Sequence, residues 1–305
     1  MEYVLQTEGL TKVFGKRAAV DGINLNVRRG DIYGFIGRNG AGKTTLIRMV
    51  AGLAHPTKGT IRLFESDKLD EQRRKTGTMI ETPAVFPHMT AKQNLHYYCR
   101  LLGIDTATNV NEMLALVGLQ DAGKKKAKNF SLGMKQRLAI AISLLDNPEF
   151  LMLDEPINGL DPTGIKEIRE LVMKLNHEKK ITILISSHIL GELSKIANRY
   201  GVINNGTMVA EFTNEELQSK CKGVLEIKVD NVQGAKDIIA GIVNPLAIEI
   251  YDDKAVYVTE GIDKAGVINM ELAKNGVVVS SSSIVGQDLE AYFMQLMDAT
   301  DHVMR

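Results

Sequence analysis

The chain is poor in the features that mark secreted, membrane-spanning or nucleic-acid-coating proteins. Its 305 residues include two cysteines, Cys99 and Cys221, too far apart in sequence for a metal knuckle or a disulfide framework, which points to a reduced, cytosolic compartment. Neither sign of charge is in excess. Thirty-seven Lys and Arg offset thirty-seven Asp and Glu, so no global field draws nucleic acid or anionic lipid, and such contact would need a local patch. No apolar run reaches the roughly 18 residues that span a bilayer, and Met1-Glu2-Tyr3 opens neither a basic stretch nor an apolar signal core. Internal repeats and low-complexity segments are also missing. What remains is an ordinary globular composition, 44% hydrophobic, long enough for two domains with a core each.

Against that background one segment is specific. Residues 37–44 read Gly-Arg-Asn-Gly-Ala-Gly-Lys-Thr, a complete GxxxxGKT phosphate loop. The run before it, 32–36, is apolar on both faces like a central parallel strand, and a helix is predicted over 43–53. In that setting backbone N–H groups cradle phosphates, Lys43 reaches the β and γ oxygens, and Thr44 offers a hydroxyl to Mg²⁺. The loop alone leaves kinase, GTPase, helicase and transporter ATPase open.

Two more buried-type strands, predicted over 150–153 and 181–185, complete a parallel core. Asp154 ends the first of these. A carboxylate there is costly unless it holds something positive, and Mg²⁺, contacted through water, is the expected partner. Glu155 follows at once and diverges from its neighbour, so it can face the γ-phosphate as general base. His188 follows the second strand, at the carboxyl end where α/β sheets bind ligands, and is expected to touch the γ-phosphate.

Between the loop and the second core strand, residues 85–147 show helical patterning. Thr90 precedes Gln93 by three residues, a capping-box spacing, and Ser131 is placed to cap a further helix whose first N–H groups form a second anion site around Gly133. Thr213-Asn214-Glu215-Glu216 opens another short helix. A domain boundary is expected near residue 220. Beyond it the predicted order is strand 224–229, helix 232–242, strand 247–251, strand 254–258, helix 264–275 and strand 277–281, with Asp252-Asp253 as a hairpin turn and a last helix near 288–297. This is a ferredoxin-like α+β order.

The phosphate loop, the Ser131-Leu132-Gly133 helix start, the paired acids Asp154-Glu155 and the isolated His188, in this sequence, resemble the ATP-binding subunit of an ABC transporter over about residues 1–215. The segment Phe130-Ser131-Leu132-Gly133-Met134-Lys135-Gln136-Arg137 is similar to the family signature, LSGGQ followed by QR. It departs twice, with Leu132 for the first glycine and Met134 for the glutamine. The resemblance implies a P-loop NTPase cassette: a RecA-like parallel core, an antiparallel β subdomain and the inserted helical subdomain of 85–147, making up residues 1–220. Residues 221–305 then form an accessory domain like the extension on many exporter ATPases, with Leu289-Glu290-Ala291-Tyr292-Phe293 near its end.

The family reading also distributes roles. Lys43, Glu155 and His188 serve catalysis, His188 as the switch histidine that helps hold the hydrolytic water. ATP is expected to touch Phe14, by adenine stacking, and the loop residues Gly37, Arg38, Asn39, Gly40, Ala41, Gly42, Lys43, Thr44 and Thr45. Ser131, Gly133, Met134 and Asp161 are implied to meet the ATP of a second cassette. The Asn158-Gly159-Leu160-Asp161 stretch matches the loop through which two cassettes touch. Mg²⁺ falls to Thr44, Asp154 and Glu81. Glu81 is a departure, since the family generally has glutamine there; a carboxylate brings full charge and acceptor-only oxygens. Together with the Ser-Leu-Gly-Met-Lys-Gln-Arg signature, Glu81 is similar to the bacitracin-resistance and lantibiotic-immunity branch.

The implied protein is a cytoplasmic ATPase that acts as an ATP-dependent homodimer, or as a heterodimer with a related cassette. It would sit on the inner face of the cell membrane through an integral-membrane permease, docked at 82–89, with no span of its own. Two other readings stay open: a cassette in a peptide-sensing or other-substrate export complex, and an ABC ATPase of nucleic acid or ribosomes. The second usually needs long coiled-coil insertions or tandem cassettes, which this chain lacks, so no nucleic-acid partner is expected.

Overall fold

The computed structural model describes residues 2–81, 84–104, 106–220, 223–252 and 254–285, together with Leu289, Tyr292, Phe293, Leu296 and Met297. Cys221, Thr82, Pro83, Asp253 and most of the helix expected near 288–297 lie outside them. The chain divides into two compact units, 1–214 with 296–305, and 215–295. The division comes earlier than 220, and the end of the chain does not belong with the second unit as expected. One physical reason is that the buried Asn204 side chain donates to the backbone carbonyl of Met297 at 3.0 Å.

In the first unit the chain opens with a long hairpin, β1 (Tyr3–Phe14) and β2 (Arg17–Arg28), followed by β3 (Ile32–Ile36) and α1 (Lys43–Val50). Next come β4 (Lys58–Leu63), α2 (Leu69–Arg73) and β5 (Thr76–Met79). The helical insertion holds α3 (Ala91–Leu102), α4 (Thr106–Leu116) and α5 (Leu132–Ser143). The unit is completed by β6 (Phe150–Asp154), α6 (Pro162–Lys179), β7 (Thr182–Ser187), α7 (Leu190–Leu193), β8 (Arg199–Asn204) and β9 (Thr207–Thr213).

Two sheets result. The outer one is antiparallel in the order β2-β1-β4, and the central one runs β5-β6-β7-β3-β8-β9, parallel except where β9 returns beside β8. Strands β3, β6 and β7 are buried throughout, as their unbroken apolar runs require. One core joins the sheets: Leu5, Ile23 and Leu25 of the hairpin pack with Leu46, Ile47 and Val50 of α1 and with Phe35 and Met152 of the central strands. Helix α1 is thus held between the layers, with its N-terminus at the carboxyl ends of the parallel strands, where α/β sheets bind ligands.

The second unit begins with α8 (Asn214–Lys220) and continues through β10 (Val224–Val229), α9 (Val232–Ala240), β11 (Ile248–Asp252), β12 (Ala255–Val258), α10 (Ala265–Lys274) and β13 (Val279–Val285). Its antiparallel sheet has the order β11-β12-β10-β13, the arrangement of a split βαβ motif. Leu225, Ile227, Val256 and Val258 bury one sheet face against Ile239 of α9 and Ile268 and Leu272 of α10.

The capping box at α3 forms in full. The Thr90 hydroxyl accepts from the Gln93 N–H at 3.2 Å, and the Gln93 carboxamide accepts from the Thr90 N–H at 2.9 Å. Thr90→Ala removes half of this reciprocal pair and is expected to cost about 1 kcal/mol. In urea unfolding the midpoint should fall with an unchanged slope; an unaltered midpoint would show that the helix start is held by its packing alone.

Candidate functional site

The phosphate loop leaves β3 and enters α1 through two glycines in the left-handed region, Gly40 at φ 81° and Gly42 at φ 113°. A β-carbon on Gly42 would collide with the Ala19 carbonyl, and one on Gly37 with the Ile203 carbonyl, so only glycine lets the loop lie this close to β2 and β8. Gly42 caps α1 without a side chain, and the first turn contains no acid. The helix therefore presents its free N–H groups and dipole to an anion.

Beside this helix end lies a cleft of about 470 Å³ lined by Phe14, Arg17, Asn39, Gly40, Lys43, Thr44, Thr45 and Glu155, with Asn205 and Gly206 opposite. Phe14 is 56% exposed at the tip of the β1-β2 hairpin, so it is not a core residue. Lys12 Nζ sits 5.1 Å from its ring centroid. An electron-rich ring with a cation against it suits stacking of a planar base. Gly37, Arg38 and Ala41 serve the site from underneath: the first two offer carbonyls to Lys43, and Ala41 is buried, bonded to Arg38 and Gly206. A comparable cleft of about 500 Å³ between α4, residues 144–148 and the end of α6 is lined by none of the expected site residues.

Asp154 is 1% exposed, and both of its oxygens are satisfied. The Thr44 hydroxyl donates to Oδ2 at 2.7 Å and the Ser186 hydroxyl to Oδ1 at 2.6 Å. A threonine that donates its proton to Asp154 keeps its lone pairs for a metal. Among the described residues no three His, Cys, Asp or Glu converge as a metal cage. A hydroxyl and a carboxylate, hard oxygen donors beside a phosphate cradle, fit Mg²⁺, which is commonly held by few protein groups plus substrate phosphates and water.

Lys43 is 5% exposed and fully engaged. Its ammonium donates to the carbonyls of Gly37 at 2.6 Å and Arg38 at 3.2 Å, and it lies 3.1 Å from Glu155 Oε1. That last contact is an ion pair without hydrogen-bond alignment, since Oε1 has no hydrogen-bond partner. The other oxygen, Oε2, is 2.8 Å from His188 Nδ1. Glu155 itself stands at φ 50°, a sparsely populated conformation for a non-glycine residue, and its N–H is held by the Ser186 hydroxyl at 3.0 Å. The structure thus joins Lys43, Thr44, Asp154, Glu155 and His188 in one network. Ser186, which binds both acids, carries no signal of its own in the sequence, because a hydroxyl inside the run Ile181–Ser187 reads simply as part of a buried strand.

Ser131, Gly133, Met134 and Asp161 are gathered elsewhere, and none borders the cleft. The Ser131 hydroxyl accepts from the Met134 N–H at 3.2 Å, which leaves its proton free to donate outward. No acid occupies the first turn of α5. Gly133 packs toward Leu160 and Gly164, and Asp161 caps α6 by accepting from the Gly164 N–H at 3.1 Å. Glu81 is also outside the cleft lining. Its carboxylate pairs with Arg48 at 2.9 Å, and it has φ 57°.

The ABC transporter family model matches residues 20–158. The chain is 39% identical to the bacitracin transport ATP-binding protein BcrA of Bacillus licheniformis, over 97% of this chain and 98% of that protein. It is 42% identical to the lantibiotic transport ATP-binding protein SrtF of Streptococcus pyogenes, over 68% of this chain and 90% of that one. Among solved structures, cbiO1 of Clostridium perfringens, part of an ABC transporter complex, superposes with a TM-score of 0.67 at 27% identity, covering 72% of this chain and 92% of the other. The ADP conformation of the cassette MJ1267 gives a TM-score of 0.63 at 28% identity, over 71% and 92%.

Ser186→Ala would leave Asp154 with one donor and strip the acceptor from the Glu155 N–H. Lost buried hydrogen bonds of this kind cost about 1–3 kcal/mol each. ATP hydrolysis should fall roughly tenfold or more, and Ser186→Thr, which keeps the hydroxyl, should restore most of it. Equal rates for all three proteins would show that the hydroxyl has no part in holding the acids.

Proposed function

The chain belongs to the ABC transporter family as an ATP-binding, ATP-hydrolysing subunit, and on that premise we propose that it drives export of peptide antibiotics through a separate membrane permease. The observation that carries the substrate class is the extent of the likeness to the bacitracin transport protein. It runs over 97% of the chain, and so takes in the second unit, whereas the lantibiotic transport relative matches over 68%.

In this reading adenine stacks on Phe14, and the triphosphate lies over the start of α1. The phosphates displace Glu155 from Lys43, because they compete with its carboxylate for the side of the ammonium that the Gly37 and Arg38 carbonyls leave open. Glu155, released on one side and still held by His188 on the other, turns its free oxygen to the attacking water as general base. When bound, Mg²⁺ would supply charge neutralisation to the phosphates. Thr44, oriented by Asp154, would hold that ion together with Asp154 and Glu81.

Ser131, with the N–H groups at Gly133 and Met134, closes on the γ-phosphate bound by a second cassette. The separation of the two anion-binding helix ends within one chain favours such a dimer. For the permease, the fitting surface is the exposed apolar cluster of Phe86, Tyr97, Leu101 and Leu102, where the Phe86 and Tyr97 rings meet edge to face at 4.6 Å. No helix among the described residues is long and apolar enough to cross a membrane. Anchoring at the cytoplasmic face of the membrane through the permease accords with that.

Lys43→Ala should abolish tight ATP binding, because the phosphates would be left to backbone dipoles. Glu155→Gln should slow hydrolysis roughly 10²- to 10⁴-fold while tightening ATP binding by about threefold to tenfold, since Lys43 loses a competing carboxylate. Calorimetric titration and phosphate release measure the two effects separately. In cells, the Glu155→Gln chain should fail to protect against bacitracin or lantibiotics; full protection by this hydrolysis-deficient protein would sink the export reading.

A further inference from the structure

Glu81 does not hang free near the nucleotide site; a specific cation holds it. Its carboxylate oxygen is 2.9 Å from an Arg48 guanidinium nitrogen, in a pair that is about half exposed, 46% for Arg48 and 55% for Glu81. Arg48 lies on α1 four residues after Thr44, so the two side chains rise from the same face one helical turn apart. Thr44 faces Asp154, the last residue of β6. Strand β5 runs parallel to β6 in a register that sets Met79 beside Leu153. The chain carrying Glu81 therefore leaves the sheet at the same end as Asp154, next to the second turn of α1.

Two properties make this contact exchangeable. An ion pair so exposed is weak, because water and salt compete for both partners. The backbone of Glu81 also stands at φ 57°, a left-handed conformation that non-glycine residues adopt at a cost and that recurs in segments with more than one stable arrangement. Arg48 could serve merely as a cation in the last turn of α1. Such a role would not require it to reach across to another loop and bind a carboxylate.

We propose that Arg48 is a positioning residue that governs the access of Glu81 to the nucleotide-bound metal. Paired with Arg48, the carboxylate is kept one turn beyond Thr44. When nucleotide arrives with Mg²⁺, Glu81 exchanges Arg48 for the ion or its water. Without the metal it stays on Arg48, and its charge is kept from repelling the phosphates. Arg48 thus softens the penalty of having glutamate at this position. The inference rests on the reading that Glu81 meets the metal, and the experiment separates the two.

The full chain carrying Glu155→Gln, so that nucleotide persists, is titrated with a fluorescent ATP analogue in Mg²⁺ and again in EDTA. The quantity read is the ratio of the two affinities. Glu81→Gln should lower the ratio, because a neutral side chain holds the metal complex less tightly while metal-free nucleotide, already spared by Arg48, is little affected. Arg48→Ala should raise it by about threefold to tenfold, since the freed carboxylate now opposes metal-free ATP and favours the metal complex. With Glu81→Gln already present, adding Arg48→Ala should change it by less than about twofold. Arg48→Gln should match Arg48→Ala and guards against an effect of the truncated helix side chain.

If Arg48→Ala shifts the ratio equally with and without Glu81, it acts through its own charge, and the positioning role is overturned while the metal role of Glu81 stands. An effect of Glu81→Gln alone, with none from Arg48→Ala, overturns the positioning role in the same way. Should Glu81→Gln leave the ratio at its starting value, both the metal role and the positioning role fail.

Discussion

The site depends on one carboxylate whose two oxygens are satisfied where water does not reach them. Asp154 is 1% exposed at the end of a wholly buried strand, and an unpartnered charge there would cost several kcal/mol. Two hydroxyls prevent this, one from α1 and one from β7. Because the partners come from separate elements, the carboxylate also fixes their relative position: β6, β7 and the first turn of α1 are tied at one point. Thr44 is thereby aimed, and so is Lys43, its neighbour on the same turn. The Ser186 hydroxyl then extends the order by holding the N–H of Glu155, which helps to keep that residue in its left-handed conformation.

From this anchor a chain of charges runs outward. Lys43, Glu155 and His188 share a carboxylate between an ammonium and an imidazole. The pair is self-neutralising, which spares the buried ammonium an unpaired charge. An incoming phosphate must compete with Glu155 for Lys43. With Glu155 as the general base, as proposed, binding and activation of the base would be one event: the ligand that needs the base would be the ligand that frees it. No movement of the sheet is needed, only a change of partner within side-chain reach.

How much of this could be read from the sequence depended on whether the signal was local. The phosphate loop, Asp154-Glu155 and the Thr90-Gln93 capping box are contiguous or nearly so, and their chemistry follows from neighbours in the chain. Strand β5, Thr-Gly-Thr-Met, has too few apolar residues to declare itself; it is made by pairing with β6. The hairpin β1-β2 runs through its ends Lys12 to Phe14 and Arg17 to Ala19 because those ends are held by pairing, as far as Phe14 with Arg17. Strands β8 and β9 likewise take their definition from the sheet. Ser186 and Arg48 gain meaning only when β7 meets β6 and α1 meets the segment after β5. Both contacts are distant in sequence, so no spacing rule reports them.

The departure at the signature shows the same dependence on distant contacts. Leu132 replaces a glycine that the family usually has at the start of α5, and a bulky side chain beside an anion site would be expected to obstruct it. Here the Leu132 side chain lies over Gly159, where a β-carbon would come within 3.3 Å of its Cδ2. Gly159 has φ +73°, so glycine at that position relieves the backbone and clears the space together. With Leu132 turned onto the 158–161 loop, Ser131 keeps its capping bond to Met134 and its free proton, and Gly133 remains bare beside the helix start. The two elements expected to meet a second cassette are thus packed against each other within one chain. A leucine in place of glycine trades backbone freedom for a contact that packs the start of α5 against the 158–161 loop.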